Sequence, residues 1–109
     1  MVDEALQDAV TATSGSGPAY FFRFVEAMIK SAKEMGLSES DAKTLVIQTI
    51  TGAAAMLNQE NASPSKLREN VTSPNGTTFA ALQVFESMDI EGIIKKAMRA
   101  ARDRSQELS

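Results

Sequence analysis

Phe21, Phe24, Val25, Met28, Ala32 and Met35 recur at three- and four-residue spacing, and the same period returns in each later apolar stretch. No other feature constrains the fold as tightly, because this period puts side chains on one face of an α-helix. Ala42, Leu45, Val46, Thr49, Ala53, Met56 and Leu57 form a further stripe. Phe79, Leu82, Val84 and Phe85 follow, and then Ile90, Ile93, Ile94, Ala97, Met98 and Ala101. Nothing alternates with period two over a useful length, so no sheet is expected. The fold class is all-α.

Local signals divide the stripes into helices. The opening "VDEALQDAVTAT" predicts a short helix ending before "SGSG". Ser16 is placed to N-cap the next helix, Pro18 sits in its first turn and Gly36 closes it. Ser38, with Asp41 three residues on, resembles a capping box for the second long helix. Gly52 inside that helix costs about 1 kcal/mol relative to alanine. Beside Ala53, Ala54 and Ala55, it reads as a close helix–helix crossing rather than a break. Ser63 and Pro64 repeat the cap-plus-proline device for a short helix through Asn70, and Asp89 caps the last helix.

Composition narrows the function classes. The chain has 109 residues, 43% of them hydrophobic, enough for one domain with a modest core. Its net charge of −3 argues against a nucleic-acid footprint. Lys95, Lys96, Arg99, Arg102 and Arg104 cluster near the C-terminus and read as favourable charge at the end of a last helix. Cysteine and histidine are both absent, which removes disulfides, the usual zinc sites and histidine-based triads. No metal is expected. With no spanning apolar run and no signal-peptide pattern, a cytoplasmic protein without a membrane contact is expected.

One loop stands out. "NVTSPNGTT", Asn70 to Thr78, packs hydroxyl side chains, proline and glycine directly before a helix. The N–H groups of Gly76, Thr77, Thr78 and Phe79 would point out of that helix unpaired, and with the helix dipole they suit an anion. Ser73, Thr77 and Thr78 add hydroxyls, and Gly76 would let a ligand approach the backbone. The loop has no acid or base of its own. It can hold a carboxylate or phosphate while another group does the chemistry, or it can be a self-capped helix start with Ser73 or Thr77 as the cap. Asn75 followed by Gly76 is also a dipeptide able to lose its side-chain amide. "SGSGP" holds two glycines but lacks the strand, third glycine and acidic residue of a dinucleotide fingerprint.

"DAVTATSGSGPAYFF" (Asp8 to Phe22) and "LRENVTSPNGTTFAAL" (Leu67 to Leu82) closely resemble two well-marked stretches of pyrroline-5-carboxylate reductase. The similarity continues through "KEMGLSESDAKTLVIQTITGAAAML" to "RSQELS". The resemblance implies that residues 1–109 are the helical dimerisation and substrate-binding domain of a two-domain reductase, without its Rossmann domain. It implies hydride transfer from the reduced form of an NADP or NAD cofactor, held mainly by the absent N-terminal domain, to 1-pyrroline-5-carboxylate, giving proline. It also implies homodimers with interleaved helices that can assemble into larger rings. Carried onto this chain, it makes Ser73 a hydroxyl donor to the substrate carboxylate and Gly76 and Thr77 N–H donors. Thr78 becomes the catalytic position near the ring nitrogen and nicotinamide. Asn70 matches a cofactor contact, Glu4 an acidic residue of the pocket, and Thr11 a neighbour of it. Asn75 stands in the substrate loop where the family usually has glycine, in "SPGGTT". A stand-alone helical oligomerisation module without activity is the alternative.

Overall fold

A computed structural model describes Asp3 and residues 6–109, and every element in it is helical. Helix α1 (Gln7–Val10) runs into a π-helical turn at Thr11–Gly15. Then come α2 (Gly17–Glu34), α3 (Glu39–Leu57), α4 (Pro64–Asn70), α5 (Thr77–Ser87) and α6 (Ile90–Leu108). The all-α expectation holds, with no strand among the described residues.

The caps read from sequence are mostly made. Ser38 Oγ accepts from the Asp41 N–H at 3.1 Å, and Ser63 Oγ accepts from the Lys66 N–H at 3.3 Å. Asp89 Oδ1 accepts from the Gly92 N–H at 3.2 Å, and a Cβ on Gly92 would collide with that carboxylate. Gly36 ends α2 at φ 111°, with its own N–H on the Lys33 carbonyl and the Leu37 N–H on that of Ala32. These two bonds make a Schellman ending, which requires the positive φ that glycine tolerates. Lys33 Nζ then reaches Glu39 at 3.0 Å across the short connection to α3. That hydrogen bond, then the ammonium's charge, hold the Glu39 carboxyl below its ordinary range.

The first connection departs from expectation. The helix does not stop before the "SGSG" run but continues through Gly15 as a π turn. The Ser16 N–H passes over the Ala12 carbonyl and bonds that of Thr11 at 2.8 Å. The Ala12 carbonyl accepts the Tyr20 hydroxyl instead, at 2.6 Å. Ser16 therefore has helical backbone angles, φ −87° and ψ −19°, rather than the extended conformation of an N-cap. Its expected capping role is not observed, and Pro18 remains in the first turn of α2.

The chain divides into two compact units. In one, built from the chain up to Arg23 and Phe85–Ser109, α6 packs on α1 and on the π turn. Ser105 Oγ donates to Asp8 Oδ1 at 2.7 Å between those helices, and Ala12 is buried. In the other, Phe24–Val84, α3 lies against α4, and Ala42 and Val46 of α3 are buried. Neither unit has a core of large side chains, since none among the described residues is fully buried. Ala42 and Val46 cover the N-terminal part of the α3 stripe only. Ala53, Met56 and Leu57 are exposed, and among the described residues nothing outside the helix's own backbone comes within 4 Å of a Cβ built on Gly52. The helix passes through Gly52 unbroken, and the close helix–helix crossing expected there is not made among the described residues.

Candidate functional site

The loop between α4 and α5 lies within the Phe24–Val84 unit and is built from its two ends inward. Thr72 closes α4: its hydroxyl donates to the Arg68 carbonyl at 2.6 Å and its N–H to that of Glu69 at 3.1 Å. Ser73, Pro74, Asn75 and Gly76 then form a tight turn, with the Gly76 N–H on the Ser73 carbonyl at 3.0 Å. Pro74 pre-sets the second corner, and Asn75 takes the third at φ 59°. This is the pattern of a type II turn, in which the third residue must have positive φ and asparagine substitutes for glycine.

Gly76 is required for a different reason from the one expected. A Cβ there would meet the Ser73 carbonyl oxygen at 3.2 Å and Ser73 Cβ at 3.3 Å. Its missing side chain thus lets the turn close on Ser73. Its N–H is also taken by that turn, which corrects the expectation of a fourth free donor at this helix start.

Three donors remain. The Gly76 carbonyl accepts the first helical bond, from Ala80 at 3.1 Å, so Gly76 stands at the cap position with no side chain to use. The N–H groups of Thr77, Thr78 and Phe79 find no acceptor among the described residues. Neither Ser73 nor Thr77 caps them, so the self-capped alternative is not what forms. The hydroxyls of Ser73, Thr77 and Thr78 make no hydrogen bond within the described residues either. Ser73, Asn75 and Thr77 are exposed, while Thr78 and Phe79 are half-buried. The result is a concentrated set of hydrogen-bond donors at the positive end of an 11-residue helix. Chemically it can hold an anion and aim hydroxyls at it. It contains no titratable group that could transfer a proton.

Of the other candidates, Asn70 is the last residue of α4 and is exposed, on the same α4–loop–α5 segment. Thr11 is the first residue of the π turn and belongs to the other unit. Glu4 lies outside the described residues. Reading by residue type missed Thr72 and Pro74, which shape the loop. Pro followed by Asn is itself the signal for the turn they anchor. Among the described residues there is no group of acidic side chains able to hold a metal, and no helix long and apolar enough to cross a membrane.

Comparison with known proteins supplies the family. Residues 4–108 match the family described as pyrroline-5-carboxylate reductase dimerisation. A pyrroline-5-carboxylate reductase of Pseudomonas aeruginosa is 49% identical over 107 residues, which are 98% of this chain and 39% of that protein. One from Arabidopsis thaliana is 42% identical over 107 residues, again 98% of this chain and 39% of the relative. Among solved structures, a reductase from Coxiella burnetii superposes with TM-score 0.95 at 41% identity, covering 100% of this chain and 40% of that one. A Plasmodium falciparum reductase with NADP bound gives TM-score 0.92 at 34% identity, over 97% of this chain and 43% of that one. The chain thus spans about two fifths of the length of the relatives it matches. With its sequence aligned almost end to end, the chain belongs to the pyrroline-5-carboxylate reductase dimerisation family.

Proposed function

We propose that this chain is the dimerisation and substrate-holding part of a cytoplasmic reductase that converts 1-pyrroline-5-carboxylate to L-proline. The observation that carries the reading is the start of α5. Three backbone donors, at Thr77, Thr78 and Phe79, stand unpaired at a helix N-terminus beside the hydroxyls of Ser73 and Thr78. A carboxylate is the anion that both the donors and the family's substrate call for. The loop holds that carboxylate through N–H groups and the Ser73 hydroxyl. Thr78, one residue into the helix, directs its hydroxyl toward the ring nitrogen. The dihydronicotinamide of NADPH or NADH would supply the hydride when bound.

The residues present fit an edge contact with such a cofactor, through Asn70 and Thr78, and not the dinucleotide itself. The described residues include no strand leading into a glycine-rich turn, the device that cradles a pyrophosphate. The division of labour explains why the loop lacks an acid or base: the cofactor carries the chemistry and the protein supplies position and charge complementarity. Glu4 is proposed as an acidic neighbour of the ring. Self-association as a homodimer, and rings of dimers, complete the reading.

The test is a steady-state assay of the full-length protein with pyrroline-5-carboxylate and each nicotinamide cofactor in turn. Oxidation of NADPH or NADH with proline formed is the expected result. A full-length protein that dimerises yet forms no proline with either cofactor would support the inactive oligomerisation module instead.

A further inference from the structure

Four asparagines occur in the chain, and only one precedes a glycine: Asn58 is followed by Gln59, Asn61 by Ala62, Asn70 by Val71 and Asn75 by Gly76. The N–H of a glycine has no adjoining Cβ to block its approach to the preceding side chain. Asn75 is exposed at the third corner of the turn, and its carboxamide has no hydrogen-bond partner among the described residues. Asn61 is a built-in comparison. It is also exposed and has a similar backbone angle, φ 61° against 59° for Asn75, but the next residue carries a side chain.

We propose that Asn75–Gly76 is a self-modification site, at which asparagine converts spontaneously to aspartate or isoaspartate. The Gly76 nitrogen gives up its proton and bonds to Cγ of Asn75. The bond from Cγ to the side-chain nitrogen breaks, and ammonia leaves, carrying a proton. Water then adds to one or the other carbonyl of the resulting five-membered succinimide and opens it, to aspartate or isoaspartate. One water enters and one ammonia departs, with no change in oxidation state. The brake on the reaction is the bond from the Gly76 N–H to the Ser73 carbonyl, which holds the nucleophile in the turn. A single hydrogen bond of this kind slows the native reaction by about tenfold or less relative to an open chain.

The product places a negative charge directly before the unpaired donors of Thr77, Thr78 and Phe79. An internal carboxylate there competes for the field in which a substrate carboxylate would sit. This consequence rests on the function proposed above, whereas the modification does not.

The experiment ages the full-length protein in warm, mildly alkaline buffer, beside a synthetic peptide spanning Thr72 to Phe79. Peptide mapping by mass spectrometry follows each asparagine, and proline is titrated into samples taken over time. The expected result is conversion at Asn75 within about tenfold of the peptide's rate, with Asn58, Asn61 and Asn70 intact. Proline affinity of the converted fraction should fall by at least about tenfold, the loss of one hydrogen bond to a charged ligand. An aged Asn75→Gly protein should keep its starting affinity. Survival of Asn75, or conversion no faster than at Asn61, would overturn the proposal. Conversion at Asn75 with proline affinity unchanged would uphold the modification and overturn the carboxylate reading of the loop.

Discussion

A methyl group at Gly76 would press on the Ser73 carbonyl and Cβ, the two points about which the turn closes. That contact ties a backbone constraint to a binding role, because Ser73 is also the proposed hydroxyl donor. The neighbouring positions separate the two effects. On the proposed function, Thr78→Ala in the full-length protein should lower kcat by about fivefold or more, the equivalent of one hydrogen bond of about 1 kcal/mol. Its unfolding free energy should change by no more than about 1 kcal/mol, since Thr78 is only half-buried in a first turn. Steady-state kinetics and denaturant unfolding check the pair, and unchanged kinetics would remove Thr78 from the site. Asn75→Asp should bind proline at least about tenfold more weakly, and Asn75→Gly at least as well as the parent, by calorimetric titration. The hydroxyl-rich loop was legible from its residue types alone. The engagement of the Gly76 N–H was not, because it depends on the torsions of Pro74 and Asn75 together.

Helix boundaries set by short-range bonds were readable, and those set by register were not. Ser38, Ser63 and Asp89 cap helices through contacts three residues away, a distance at which sequence alone specifies the partner. Gly36 ends α2 through its positive φ, and Gly36→Ala should destabilise the protein by about 1–3 kcal/mol without altering its contacts elsewhere. Thermal or urea unfolding measures that loss. The π turn left no such mark. Its bond from Ser16 to Thr11 skips one residue more than an α-helix does, and serine, threonine and glycine there equally suit a helix end. What holds the turn is remote in sequence: the Tyr20 hydroxyl on the Ala12 carbonyl. Tyr20→Phe should therefore cost about 1 kcal/mol of stability, read by the same unfolding experiment. A neutral result would mean that water replaces the hydroxyl at no cost.

Taken as a whole molecule, the single chain leaves uncovered the faces that its sequence built to be buried. Phe21 is 63% exposed, Phe22 69%, Met88 67% and Ile93 58%, values expected of a chain read without its partner. Apolar area of this kind is covered in solution by association, and a family named for dimerisation identifies the association as one with another copy. The helical periodicity announced these faces, but only the folded chain shows how little of them it can cover by itself. Folding and association are then one process, so the unfolding midpoint should rise with protein concentration. The most direct test of this account is sedimentation equilibrium of the 109-residue chain at micromolar concentration, with helicity followed by circular dichroism. The account predicts a folded dimer or a multiple of it, losing helicity as it dissociates on dilution. A compact, fully helical monomer at that concentration would contradict it.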